Sequence, residues 1–203
     1  MPAFAGMTGG GRKMLVLILG LALFLGTHTL TTLRGTRAAL IGRLGVGNFK
    51  IAYSAIAALG LVLICIGFSH YRHGGWVQLW FPPFWLHLVT FLLMWLAFVS
   101  LACMNPAPGR IRGWLRHPML VAIKLWALAH LLANGDLGGV LLFGAFLAWA
   151  VFDRIAVKRR GDLGAARVAA FMRADVQALG FGTLAYVAMI LLHPYLIGVS
   201  VLG

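Results

Sequence analysis

Six apolar runs, each close to the length of a membrane-crossing helix, are separated by short breaks that hold nearly all of the charge. They fall near residues 14–33, 49–69, 83–104, 117–134, 137–156 and 181–201. An α-helix rises about 1.5 Å per residue and the hydrocarbon core is about 30 Å thick, so roughly twenty apolar residues cross it. Lipid offers no partners to backbone N–H and C=O groups, so each run must satisfy its own and is read as a helix. Composition excludes a water-soluble alternative. Hydrophobic residues make up 62% of 203 positions and charged residues 10%, whereas a soluble domain carries about 25% charged residues. The expected fold is all-α, a polytopic membrane helix bundle of about six transmembrane helices. It forms one membrane domain over residues 14–203, with no separate soluble domain.

Net charge is +13, from seventeen Lys and Arg against four acidic residues, all Asp. In a soluble protein this balance would point to nucleic acid. Here the basic residues sit in the breaks, where they set orientation, and no nucleic-acid partner is expected. Arg34, Arg37, Arg43 and Lys50, then Arg110, Arg112 and Arg116, then the basic residues of 154–173 all fall on one side. Only Arg12, Lys13 and Arg72 fall on the other, and Lys124 lies within a run. The heavily basic side is therefore assigned to the cytoplasm, with both termini outside, and membrane lipids are the expected partners. The first run follows Arg12-Lys13 as a signal peptide would, but it is long and no A-x-A site follows, so a retained helix is expected. Residues 1–13 are Gly-rich and read as a disordered tail, with Met14 an alternative start. Cys65 and Cys103 lie in apolar runs without CxxC spacing and read as small buried hydrophobes.

Polar groups inside a membrane are costly, so each needs a partner or a task. His28 sits among Thr27, Thr29, Thr31 and Thr32 in the first run, and His87 lies early in the third. The fourth run carries His117, Lys124 and His130, and the sixth His193, while His70 and His73 stand at the end of the second. Neutral imidazole is a standard haem-iron ligand, and helix bundles hold cofactors in their interiors. The bland alternative for each histidine is a boundary side chain or a packed helix contact, and for each threonine a bond to its own helix carbonyls. At about 100° per residue His117 and Lys124 share a face, and His130 points elsewhere, so one iron does not take both His117 and His130. Lys124 suits an anionic ligand or propionate, or a reach toward water. Asn134, four residues after His130, is a candidate supporting partner. Span ends put His28 and His130 at depths differing by about 10 Å. His87 matches His130 better on depth and is the alternative ligand.

The stretch His28-Thr29 with Arg34 and Leu40-Ile41-Gly42, then Arg116-His117-Pro118, Trp126-Ala127-Leu128-Ala129-His130 and Asn134-Gly135-Asp136, resembles the NnrU family. These are small bacterial membrane proteins associated with denitrification. The pattern is also similar to the zeta-carotene isomerases of plants and cyanobacteria, which are haem b proteins using two membrane histidines. The resemblance covers roughly residues 14–203. It implies a haem b site with His28 and His130 as axial ligands; His117, Lys124 and Asn134 are candidates for cofactor contact from their placement in the fourth run. It further implies a bacterial inner-membrane protein that supports nitrogen-oxide metabolism, for which the charge bias puts both termini in the periplasm.

Three other functions compete. A cis-trans isomerase would act on a polyene or other apolar small molecule in a cleft between helices. A membrane methyltransferase using S-adenosylmethionine shares the Arg-His-Pro helix start but adds a downstream acidic residue, commonly Glu, and this chain has no Glu. A transporter or assembly factor would also tolerate intramembrane histidines, but no inverted repeat is visible.

Overall fold

The computed structural model describes residues 5–74 and 76–202, with side chains from Met14 onward. The elements are α1 (Ala5–Thr32), α2 (Arg34–His73), α3 (Trp85–Ala102), α4 (Arg110–Leu115), α5 (Pro118–Ala133), α6 (Leu137–Arg159) and α7 (Arg173–Ile197). Among the described residues, sheet pairing is confined to one isolated bridge, Gln78 with Asp136. The all-α, polytopic reading holds. Among the described residues, five helices are long and apolar enough to cross a membrane: Met14–Thr32 within α1, then α2, α3, α6 and α7. The fourth apolar run forms α5, a shorter apolar helix of 16 residues, about 24 Å long at the usual rise.

Three helices begin ahead of their apolar runs. The basic break after the first run is itself helical, because α2 begins at Arg34 and only kinks at Gly45 (φ 76°, ψ 158°). Arg37, Ala38, Ala39 and Leu40 are strong helix formers, and glycine takes the left-handed φ without a Cβ penalty. Helix α7 starts at Arg173, earlier than the apolar run alone suggests. The expected disordered tail falls on residues 1–13, of which 1–4 lie outside the described residues; α1 is assigned from Ala5.

The chain forms two compact units, Met1–Pro82 with Asn134–Val157, and Pro83–Ala133 with Lys158–Gly203. In the first, α1 packs along α2. Glycine sets the closeness. A Cβ on Gly20 would lie 2.6 Å from Ile64 N, one on Gly60 2.7 Å from Phe24 N, and one on Gly67 would run into the Leu17 backbone. Helices in lipid gain little from apolar burial against each other, so van der Waals contact through small residues holds them. Helix α6 adds Phe146 against Phe24 and Phe143 against Phe68, at ring separations of 5.6 and 6.4 Å.

The 76–84 segment is tied to the start of α6. Gly135 O accepts from Leu79 N (2.7 Å) and Trp80 N (3.0 Å), and Leu137 N donates to Val77 O (2.9 Å). A Cβ at Gly135 would overlap the Trp80 carbonyl, so the backbone approach requires glycine there. Asp136 Oδ1 accepts from Gly139 N at 2.8 Å, capping the new helix. The Asn-Gly-Asp stretch thus stops one helix and starts the next.

In the second unit α3 packs against α5 and α7. Thr90 Oγ1 donates to Ala129 O (3.3 Å) and Trp95 Nε1 to Thr183 Oγ1 (2.9 Å). The six-residue helix α4 was not expected from the sequence. Its first two N–H groups, Arg110 and Ile111, donate to the two carboxylate oxygens of Asp175 at 2.9 and 2.7 Å, and Met172 N adds a third bond at 2.8 Å. Asp175 is 1% exposed. Large side chains such as Ile51 (70% exposed) and Leu184 (67%) face outward, as lipid contact demands. Cys103 is buried as expected, but Cys65 is exposed. The expectation for Cys65 fails because an apolar residue of a membrane helix faces lipid as readily as a core.

Candidate functional site

His28 lies four residues before the end of α1, among Thr27, Thr29, Thr31 and Thr32. Its Nδ1 stands 2.7 Å from Phe24 O. A carbonyl only accepts, so Nδ1 carries a proton, and in the neutral form of the imidazole the lone pair then lies at Nε2. That is the nitrogen available to a metal, oriented by the other. Aromatic rings surround it: Phe24 at 4.2 Å, Tyr53 of α2 at 5.7 Å and Trp149 of α6 at 5.8 Å, the last edge-on at 87°. One turn further along, Thr32 Oγ1 donates to Asp153 Oδ1 at 2.7 Å, which gives the intramembrane carboxylate a partner. The other threonines take the bland role: Thr27 donates to Leu23 O, Thr29 to Leu25 O and Thr31 to His28 O.

The second unit holds the other histidines. His130 Nδ1 donates to Trp126 O at 2.8 Å, the same bond to the carbonyl four residues back, and the Trp126 ring lies 5.3 Å away. His193 lies in α7, and its Nδ1 donates to Val199 O at 2.7 Å. His87 is exposed, beside Phe84 at 5.9 Å. His117 precedes α5 and its carbonyl accepts from Val121 N (3.1 Å), while Nε2 lies 3.3 Å from Asp162 O. Arg116, at φ 62°, donates from Nη1 to Leu163 O (3.2 Å) and Ala165 O (3.3 Å), and its own carbonyl accepts from Ala165 N (2.8 Å). The Arg-His-Pro motif therefore anchors the loop after α6. Lys124 is half-buried in α5 and has an interaction partner. Asn134 follows α5 directly and, like His130, has an interaction partner. His70 and His73 are exposed at the end of α2, His73 bonded to Ser69 O.

The residues missed by sequence reasoning are Tyr53, Trp149, Asp153 and Asp175. A signal existed for two of them: Phe24, His28 and Thr32 recur at helical spacing in α1, and Phe146, Trp149 and Asp153 recur at matching spacing in α6. Nothing in the spacing of Asp175 pointed to α4.

Among the described residues no group of three or more His, Cys, Asp or Glu could hold a bare metal ion. A haem makes a smaller demand, since the macrocycle fills the equatorial positions and the protein supplies only axial ligands. Imidazoles with an engaged Nδ1 and aromatic neighbours suit that role.

The family model described as NnrU protein matches residues 16–201. No curated protein and no solved structure matches the chain.

Proposed function

The chain belongs to the NnrU family, and on that basis we propose that it is a haem-binding membrane protein supporting nitrogen-oxide metabolism in denitrification. The observation that carries the haem reading is the shared state of two membrane histidines. His28 and His130 each give the Nδ1 proton to the carbonyl four residues back in their own helix, which leaves Nε2 as the ligating nitrogen. Each is proposed as an axial ligand on the chemistry of its own unit. Bound haem b would supply an iron whose potential and reactivity follow from its axial ligands and the polarity around it. The chain's part is to fix the imidazole tautomer, to surround His28 with Phe24, Tyr53 and Trp149, and to keep water out. The basic breaks support insertion in a bacterial cytoplasmic membrane with those breaks inside and both termini periplasmic.

The test is an absorption spectrum of the full chain purified in detergent from a haem-replete bacterium. A Soret band is expected, reduced to less than half in His28→Ala and in His130→Ala. Colourless wild-type protein that also fails to take up added haem would overturn the haem reading. A Soret band untouched by either substitution would overturn the ligand assignment.

A further inference from the structure

Trp149 carries a buried polar atom with no partner: its indole Nε1 is shielded from solvent and makes no hydrogen bond. An indole has a single donor and no acceptor capacity. Inside a membrane helix an unsatisfied donor is especially costly, because water is absent too. The neighbours named for this wall offer little relief. The Phe24 and Phe146 side chains have no acceptor, Phe24 O already accepts from His28, and Asp153 Oδ1 already accepts from Thr32. The same indole stands edge-on to His28, with the Tyr53 ring on another side of that imidazole.

We propose that Trp149 donates its indole N–H to an acceptor oxygen of the group that His28 binds, so that His28 and Trp149 form the two polar contacts of one ligand wall. This rests on the haem reading of His28. Two sources could bring the oxygen: a carboxylate of the macrocycle, or a small oxygen-bearing molecule held on the same side. Tyr53 and Phe24 supply the apolar remainder of the wall. Trp149 is a binding residue here, and the loss of its donor leaves the aromatic surface largely in place when phenylalanine replaces it.

The experiment compares wild type with Trp149→Phe, both full chain in detergent, titrated with haem b and with haem b dimethyl ester. The infrared C–O stretch of the reduced carbon monoxide complex is recorded for each. If the oxygen is a carboxylate, Trp149→Phe weakens haem b about tenfold, the worth of one hydrogen bond to a charged group, and weakens the diester much less. If it belongs to a small ligand, affinity for both haems holds and the C–O stretch moves to higher frequency. Equal weakening of both haems with an unmoved stretch marks a packing role and overturns the proposal. So does a variant indistinguishable from wild type in both readouts. Should Trp149→Phe accumulate poorly, ultraviolet resonance Raman of the wild type serves instead: adding haem must shift an indole N–H-sensitive band, and an unshifted band overturns the proposal. A wild type without haem brings down this inference together with the reading beneath it. Haem-bound wild type with unchanged Trp149 signals brings down this inference alone.

Discussion

The histidines of α1 and α5 begin alike and end in different company. Both are locked by a bond from Nδ1 to the carbonyl four residues back. His28 then meets three aromatic rings, one of them an indole whose donor lacks a partner, whereas the ring beside His130 is Trp126 of its own helix. The units around them also close differently. The first brings α1 and α2 together by backbone approach at glycine, while the second anchors α4 on a buried carboxylate and ties α3 to its neighbours through Thr90 and Trp95. The local helix fixes the state of an imidazole, and the packing partner decides what that imidazole can serve.

The sharpest way to break the contrast is at Gly67. Gly67→Val puts a branched side chain into the Leu17 backbone, with an expected cost of about 3 kcal/mol or more from overpacking. Poor accumulation in the membrane, or a clear loss of thermal stability in detergent, is the expected readout. A variant as stable as wild type would show that the glycine approach does not hold α1 on α2. Asp175→Ala comes next. It leaves the N–H groups of Arg110, Ile111 and Met172 without their acceptor and should cost about 2–3 kcal/mol. Faster proteolysis near residues 105–116 would accompany it, and an unchanged cleavage pattern would argue against an anchoring role.

Two smaller substitutions sharpen the comparison. Thr32→Val removes the donor to Asp153 Oδ1, a 2.7 Å bond between side chains of α1 and α6, and should cost about 1–2 kcal/mol because a part-buried acceptor is left with one fewer partner. Thr90→Val removes a longer bond to a carbonyl that belongs to helix α5. It should cost about 0.6 kcal/mol, the usual value for interhelical bonds in membranes. Equal melting shifts for the two variants would remove the distinction drawn between the short bond of Thr32 and the long bond of Thr90.

The apolar runs sufficed to specify an all-α chain that crosses the membrane repeatedly, because only a helix can satisfy its own backbone in lipid. The spacing of His28 and His130 within those runs likewise carried their bonds to Phe24 O and Trp126 O, since one helical turn brings residue and carbonyl together. Helix ends were less readable. Arg34–Gly45 is polar enough to pass for a loop yet coils, and α4 exists because Asp175, some sixty residues away in sequence, accepts its first N–H groups. The tertiary structure alone put Trp149 and Tyr53 beside His28, and it alone left the indole without an acceptor. A local pattern encodes what one helix does with its own backbone. Which side chain stands across from it depends on how closely the neighbouring helix approaches, and in the first unit that distance is set by three glycines whose effect is visible only once the helices are packed.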